Sequence, residues 1–101
     1  MTTTITLTLD KILWKWWVGK DSDPQEAFED LVDTIIVNKD DLDITPWKSS
    51  MMEMHTFSVS PDKLKILDNC LKELSMDDFL NGCLKWLRAE EEKLKSAFKV
   101  T

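Results

Sequence analysis

Two short segments of the chain alternate strictly between polar and apolar residues, and they constrain the fold more than any other feature. They are residues 4–9 (TITLTL) and 55–60 (HTFSVS). A period of two is typical of a strand with one buried face. A single strand would leave backbone groups and its apolar face without partners. We therefore expect the two segments to pair as a ribbon, with helices packed against its apolar face.

Capping residues and apolar spacing predict four helices around this ribbon. Each helix start carries a side chain that can cap it, and two of the starts also carry proline. Gly19 is expected to end the first helix in the left-handed conformation. The predicted helices cover residues 11–18; a segment from Pro24 with Phe28, Leu31, Val32 and Ile35 on one face; residues 61–74; and a segment from Ser75 through Phe79, Leu80, Cys83, Leu84 and Leu87 toward Phe98.

The same order of elements occurs twice, which indicates how the chain is organised. Residues 1–37 read as a first strand-helix-helix unit, 38–54 as an acidic connector, and 55–101 as a second strand-helix-helix unit. At 101 residues the chain has the length of one domain. We predict a single α+β domain, in which a two-stranded antiparallel ribbon packs on four helices.

The charge distribution narrows the classes of partner. Nineteen acidic residues outweigh thirteen basic ones, for a net charge of −6. The balance is −4 over residues 1–37, −2 over 38–54 and zero over 55–101. Such a surface disfavours a protein that coats nucleic acid or an anionic membrane. Because no apolar stretch approaches the length of about 18 residues that spans a bilayer, and the first residues lack a signal-peptide pattern, we expect a cytoplasmic protein without a membrane partner.

Side chains for catalysis or metal-dependent folding are scarce. The chain has one histidine, His55, and two cysteines, Cys70 and Cys83, too few for a disulfide framework or a four-ligand zinc site. We expect buried free thiols and a structural imidazole. No nucleophile context or glycine-rich phosphate loop is present, and Gly19 and Gly82 are the only glycines. The chain is therefore predicted not to be an enzyme.

The order strand, helix, helix resembles the ribbon-helix-helix proteins. This family includes plasmid repressors, the antitoxins of many toxin-antitoxin pairs, and a few tandem members with two copies in one chain. Residues 55–60 resemble the family's strand, 61–74 its first helix and 75–80 the start of its second, and the first half follows the same order. The resemblance implies a ribbon whose outer face reads the DNA major groove. The residues on that face would be Thr4, Thr6, Thr8, Thr56 and Ser58, with Ile5, Leu7, Leu9, Phe57 and Val59 facing the helices.

Charges near the helix starts favour a different partner. The family sets the start of its second helix against a phosphate, and it usually reads bases with Arg, Lys, Asn or Gln. In this chain, carboxylates stand at those starts, where they satisfy the helix dipole and would repel a phosphate. They are Asp21, Asp23, Glu26, Asp77 and Asp78. A protein partner is therefore favoured slightly over DNA, and a DNA-binding repressor or antitoxin is the alternative.

The leading prediction is a small acidic regulatory or inhibitory protein that binds a macromolecular partner. Residues 11–18 are unusually apolar, and their tryptophans fit either a core helix or anchors at an interface. The acidic run after the second predicted helix would meet a basic protein surface. The candidate contact residues are Trp14, Trp16, Trp17, Asp40, Asp41 and Asp43. The tryptophan surface also suits homodimerisation, so a monomer and a homodimer both agree with the sequence.

A second alternative is Ca²⁺ binding, because two acidic segments offer the carboxylate oxygens that this ion prefers. The segments are residues 21–26 and 38–43. Neither fits an EF-hand, since the sixth position, where the motif needs glycine, holds Glu26 in the first segment and Asp43 in the second. A site of another kind requires the two segments to meet in space. Its ligands would be Asp21, Asp23, Glu26, Asn38, Asp40, Asp41 and Asp43. Apart from this alternative, no cofactor is predicted.

Overall fold

The computed structural model describes residues 2–19, 23–42, 44, 51–71 and 73–99 of the chain. In this part the chain forms two strands and four helices, in the order β1 (Thr3–Asp10), α1 (Lys11–Val18), α2 (Pro24–Val37), β2 (Met52–Val59), α3 (Pro61–Cys70) and α4 (Met76–Lys99). The two strands pair antiparallel in one sheet. The predicted α+β class, with a two-stranded antiparallel ribbon and four helices, is confirmed.

The strand β2 begins at Met52, three residues before the segment that alternation predicts. These first residues invert the pattern. Glu53 is on the same side of the strand as the buried residues Phe57 and Val59. Met54 is on the outer side and is 73% exposed. Backbone pairing with β1, where Asp10 stands opposite Met52, holds this end of the strand in place. Side-chain periodicity alone therefore does not reveal it.

The two halves begin with equivalent strand-to-helix junctions. Asp10 ends β1, and its side chain accepts a hydrogen bond from the Leu13 N–H at 2.8 Å. Ser60 follows β2, and its Oγ accepts a hydrogen bond from the Lys63 N–H at 3.3 Å. Both caps lie four residues beyond the threonines that pair at the centre of the ribbon. An approximate two-fold relation between the halves therefore passes between those threonines.

The helices α2 and α4 are the second helices of the two halves, and they are capped and buried alike. Asp23 Oδ1 accepts a hydrogen bond from the Gln25 N–H at 3.1 Å, and Ser75 Oγ accepts one from the Asp78 N–H at 3.2 Å. Counted from these caps, four apolar positions are buried in both helices. The buried pairs are Ala27 and Phe79, Phe28 and Leu80, Leu31 and Cys83, and Val32 and Leu84.

Two predicted helix ends differ from the structure. Gly19 closes α1 with a φ of −58°, in the right-handed region, because its N–H simply continues the helical pattern to the Lys15 carbonyl at 3.0 Å. The expected left-handed end is wrong. The helix α3 ends at Cys70 and not at Leu74, because the N–H groups of Leu71 and Leu74 each bond a carbonyl three residues back. These tight turns redirect the chain into α4.

The core lies between the inner face of the ribbon and the helices. That face contributes four side chains that are at most 5% exposed, and the Phe28 and Phe57 rings stack across the α2–β2 boundary with centroids 4.3 Å apart. The predicted inward side of each strand is therefore buried as expected, with Ile5 partly covered at the margin. The four ribbon residues are Leu7, Leu9, Phe57 and Val59.

Candidate macromolecule-binding face

The outer side of the ribbon forms an uncharged surface, which we call the ribbon face. At its centre the Thr6 and Thr56 hydroxyl oxygens lie 3.2 Å apart, joined by a hydrogen bond. Threonine or serine occupies every position that the alternation places outward, and Met54 adds one exposed thioether. The ribbon face consists of the exposed residues Thr4, Thr6, Met54 and Thr56 and the half-buried residues Thr8 and Ser58.

The free edge of β2 is closed by one side chain from α2. The Ser58 N–H donates to Gln25 Oε1 at 3.0 Å, and Gln25 Nε2 donates to the Ser58 carbonyl at 2.8 Å. An open strand edge presents unpaired backbone groups that invite association with other strands. This pair of bonds satisfies the edge at Ser58 and fixes the first turn of α2 beside the ribbon face.

The free edge of β1 is closed in the same way from α4. The Thr8 N–H donates to Asp77 Oδ1 at 3.0 Å, and Asn81 Nδ2 donates to the Thr8 carbonyl at 3.0 Å. Asn81 Oδ1 also accepts from the Asp10 N–H at 2.7 Å, and the Asn81 side chain is fully buried. The first turn of α4 therefore lies against the opposite side of the ribbon face.

The helix starts at these two edges carry negative charge. Glu26 stands in the first turn of α2, and Asp77 and Asp78 in that of α4. The cap of each helix already accepts a hydrogen bond from one of the N–H groups there, which would otherwise be open to an anion. The ribbon face is thus a neutral surface, rich in hydroxyl groups, with carboxylates at both margins. Such a surface suits a partner with cationic side chains at matching positions.

The three tryptophans of α1 lie in different surroundings. Trp14 and Trp17 are 4% and 9% exposed, and they belong to the core. Trp14 packs on Phe57 with ring centroids 5.2 Å apart, and Trp17 Nε1 donates to the Ala27 carbonyl at 2.7 Å. Trp16 is only half-buried. Of the three candidate anchors, Trp16 is therefore the one with substantial surface open to solvent.

The acidic residues after α2 lie far from the start of that helix. Asp40 and Asp41 are exposed in a turn, where the Asp41 N–H donates to the Asn38 carbonyl at 2.9 Å. Asp23 and Glu26 lie at the other end of the 14-residue helix, about 20 Å away at 1.5 Å per residue. The described candidate ligands therefore do not gather into one Ca²⁺ site, and no cluster of three metal-ligating side chains occurs in the described part of the chain. The candidates Asp21 and Asp43 lie outside the described residues.

The cysteines and the histidine occupy structural positions. Cys83 is fully buried, and burial, with a smaller effect from nearby Cys70, raises the pKa of the Cys83 thiol to about 12. The His55 ring stacks on Phe57 with centroids 5.8 Å apart, and its Nε2 lies 3.3 Å from Glu53 Oε2. The Cys83 thiol is therefore kept protonated in the core, and the His55 ring packs between Phe57 and Glu53.

One surface lysine has a perturbed pKa. Lys63 on α3 donates to Asp33 on α2 at 2.6 Å, and this hydrogen bond raises the pKa of the Lys63 ammonium group. The pair joins α2 to the first turn of α3, the helix that starts directly after β2. It belongs to the packing of α3 on α2, and not to the ribbon face.

Sequence reasoning found the hydroxyl groups of the ribbon face but missed the two residues that close its edges. Gln25 and Asn81 are polar residues whose partners lie 33 and 71 residues away in the chain. Asn81 did carry a signal, since it interrupts the apolar run of α4 between Leu80 and Cys83. A polar residue at a buried helix position needs a hydrogen-bond partner, and here the partner is backbone.

Comparisons with known proteins identify no relative: no protein-family model, curated protein or solved structure matches the chain. Within the described residues, no helix combines the length and the apolar character that a bilayer crossing requires.

Proposed function

We propose that this chain is a non-enzymatic regulatory or inhibitory protein that docks on the basic surface of a protein partner through the ribbon face. One observation carries the proposal: a neutral, hydroxyl-rich ribbon face is bordered on both sides by acidic helix starts. Positive side chains of a partner would pair with Glu26 on one side and with Asp78 on the other, while the hydroxyl groups between them exchange hydrogen bonds.

The architecture proposed for the chain is a tandem ribbon-helix-helix arrangement. Each half contributes a strand, a short helix and a longer helix, and the central Thr6 and Thr56 are paired. Both α2 and α4 have a capped start, and four apolar positions counted from the cap are buried in both helices. In such an arrangement the outward side of the ribbon is the natural contact surface, because its inner side is occupied by the core.

The charge at the margins favours protein over nucleic acid as the partner. A duplex would bring phosphates against the first turns of α2 and α4, where Glu26, Asp77 and Asp78 would repel them. A basic protein surface meets the same carboxylates favourably, and electrostatic attraction also speeds association. The net charge of −6 acts in the same direction.

The test is capture of a partner from the native host by the immobilised full chain, compared between two double variants. Thr6→Arg with Thr56→Arg places two cations at the centre of the ribbon face. Val37→Arg with Asn69→Arg is the matched control, since it adds the same charge at exposed positions on α2 and α3. We expect the control to capture the same protein as the wild-type chain and the ribbon variant to lose it.

Salt and nuclease complete the test. Because the interaction is electrostatic at its margins, capture should fall when the salt concentration is raised from about 50 to 300 mM. Equal capture by the ribbon variant and its control would overturn the proposed contact surface. A captured complex that disappears on nuclease treatment would overturn the protein partner.

A second candidate function is sequence-specific DNA binding, and the exposed hydroxyl groups on an approximately two-fold ribbon favour it. A two-stranded ribbon fits the major groove, and serine and threonine hydroxyls can bond several base edges. In that case Thr6→Ala with Ser58→Ala should weaken binding to one operator far more than to random duplex. Absence of duplex binding at low salt, where electrostatic attraction is strongest, would exclude this candidate.

A further inference from the structure

A second surface, distinct from the ribbon face, lies on α1 and combines apolar with cationic side chains. We call it the α1 patch. It forms a hollow of about 480 Å³ on the exposed side of α1, where that helix meets α4. Ile12 is 53% exposed and Met51 is 48% exposed within it. The patch is lined by Ile12, Trp16 and Met51, with Lys11, Lys15 and Arg88 around them.

The position of this patch follows from how α1 packs. The core side of α1 consists of Leu13, Trp14 and Trp17. The opposite side of the helix carries two pairs of residues, Ile12 with Trp16 and Lys11 with Lys15. Residues four apart lie one above the other on a helix, and each of these pairs therefore forms a short column. The apolar column is bordered by the lysines of α1 on one side and by Arg88 of α4 on the other.

The other end of the hollow is also fixed by contacts. The Lys11 N–H donates to the Met51 carbonyl at 2.8 Å, which holds the start of β2 against the start of α1. The apolar parts of the patch therefore come from two segments that are far apart in sequence. A backbone hydrogen bond joins these two segments.

The cations of the patch are weakly engaged by the chain's own carboxylates. Lys11 Nζ lies 3.7 Å from Glu53 Oε1, and Arg88 Nε lies 3.9 Å from Glu92 Oε1. These are long, exposed ion pairs, which contribute little to stability. A partner carboxylate can therefore take over such a cation without a large loss within the protein.

We propose that the α1 patch binds an acidic amphipathic helix of a partner protein. Apolar side chains spaced three or four residues apart on that helix would pack on Ile12, Trp16 and Met51. Its flanking Asp and Glu residues would pair with Lys15 and Arg88. A half-buried tryptophan at the centre of a small apolar surface is the kind of residue that dominates binding energy at interfaces.

Charge complementarity selects this occupant over two others. In a symmetric homodimer formed through this patch, the cations of one copy would face the cations of the other copy, and like charges would repel. An anionic membrane is much wider than the patch, so it would bring its negative charge against the acidic surface around the patch on a chain of net charge −6. An acidic helix meets the cations and leaves the rest of the acidic surface in solvent.

The experiment selects helical peptides from a display library, randomised along one face, against the full chain at low salt. We expect enriched peptides to carry an apolar stripe bordered by Asp and Glu. Fluorescence anisotropy of a labelled enriched peptide then measures its affinity for the wild-type chain and for two variants. Lys15→Glu should weaken binding tenfold or more, because an attraction becomes a repulsion.

The chain offers a closely matched control. Lys65 on α3 occupies the position that corresponds to Lys15 in the other half, and it is exposed. Lys65→Glu changes the net charge by the same amount but lies on a helix where Asp62 and Ile66 replace the apolar column of α1. We expect it to change the affinity less than twofold. Circular dichroism of both variants checks that they fold.

Three results would overturn the proposal. The first is a selection that enriches basic or uncharged peptides, or none. The second is an equal loss of affinity in Lys15→Glu and Lys65→Glu. The third is a different occupant: a dimer in sedimentation, or binding to phosphatidylserine vesicles, that Lys15→Glu abolishes while Lys65→Glu preserves it.

Discussion

The side-chain amide of Gln25 bonds both backbone groups of Ser58, accepting from its N–H at 3.0 Å and donating to its carbonyl at 2.8 Å. The amide thereby takes the place that a third strand would fill beside β2. Because Gln25 is the second residue of α2, the same two bonds set the position of that helix start relative to the ribbon. Gln25 thus contributes both to the stability of the ribbon edge and to the placement of the acidic start of α2.

Removal of this amide should destabilise the fold moderately. In Gln25→Ala both hydrogen bonds are lost, but the site is only partly buried and water can replace them, so we expect a loss of about 1–2 kcal/mol in unfolding free energy. Urea denaturation followed by tryptophan fluorescence measures it. Glu92→Ala, at an exposed position of α4, is the control and should change the unfolding free energy by less than about 0.5 kcal/mol.

Asn81→Ala should be more damaging than Gln25→Ala. The Asn81 side chain is fully buried and bonds the Thr8 carbonyl and the Asp10 N–H, and water has less access to these backbone groups once the amide is gone. We expect a loss of about 2–4 kcal/mol. The same urea titration checks the order of the two variants, and a smaller effect for Asn81→Ala would contradict the structure of the β1 edge.

The two thiols should differ strongly in reactivity. Cys70 is half-buried, whereas Cys83 is fully buried with a thiol pKa of about 12. A thiolate is the reactive species, so a maleimide at pH 8 should label Cys70 in the folded chain and reach Cys83 only after denaturation. Mass spectrometry of the intact chain counts the labels. Rapid double labelling without denaturant would show that the α4 core opens readily.

The buried thiol should also make stability decrease at high pH. In the unfolded chain a cysteine ionises at a pKa of about 8.5, but Cys83 in the fold keeps its proton until about 12. Its contribution is therefore complete below about pH 8.5 and is lost as the pH rises through this window, by at most about 1.4 kcal/mol per pH unit.

A matched variant isolates this contribution. Cys83→Ala lacks the thiol, so the difference in unfolding free energy between the wild-type chain and the variant should shrink between pH 8.5 and pH 10.5. Urea titrations at three pH values measure that difference. A difference that stays constant with pH would show that Cys83 is not shielded from solvent.

Calcium should leave the stability of the chain unchanged. Asp23 and Glu26 lie about one helix length from Asp40 and Asp41, at about 20 Å, so these carboxylates do not converge on one ion. A ligand that binds only the folded state raises the melting temperature. Thermal unfolding with millimolar Ca²⁺, against a Mg²⁺ control, provides the measurement, and a rise with Ca²⁺ alone would revive the cation-binding alternative.

The parts of the fold that follow from local chemistry were predictable. Strict alternation revealed the ribbon and its two faces, and capping side chains such as Asp10 and Ser60 revealed the helix starts. The end of α3 was not predictable from apolar spacing, because Leu71 and Leu74 still pack on the core from non-helical turns. Apolar spacing indicates which residues are buried, but it does not distinguish a helix from a turn, because residues in a turn can pack on the core as well.

The contacts that build the candidate sites depend on tertiary structure. Nothing near Gln25 in the sequence indicates that its amide will meet Ser58, and nothing on α1 alone separates buried Trp14 from half-buried Trp16. That separation arises because the ribbon, α2 and α4 pack against α1 and leave one side of it to solvent. The α1 patch likewise needs Arg88, which α4 brings from the far end of the chain.

The pairing of Thr6 with Thr56 within a single chain makes the ribbon independent of protein concentration. In an obligate dimer, a shared ribbon exists only above the dissociation concentration, whereas a ribbon closed within one chain is present at any protein concentration. While only a small fraction of a proposed partner is bound, the bound amount would then rise in proportion to the number of copies of this chain. The two halves are also free to diverge, as Lys15 in the α1 patch and its counterpart Lys65 illustrate. Under the two binding proposals, one copy of this chain would hold two unlike partners, one on the ribbon face and one on the α1 patch, at a fixed one-to-one ratio.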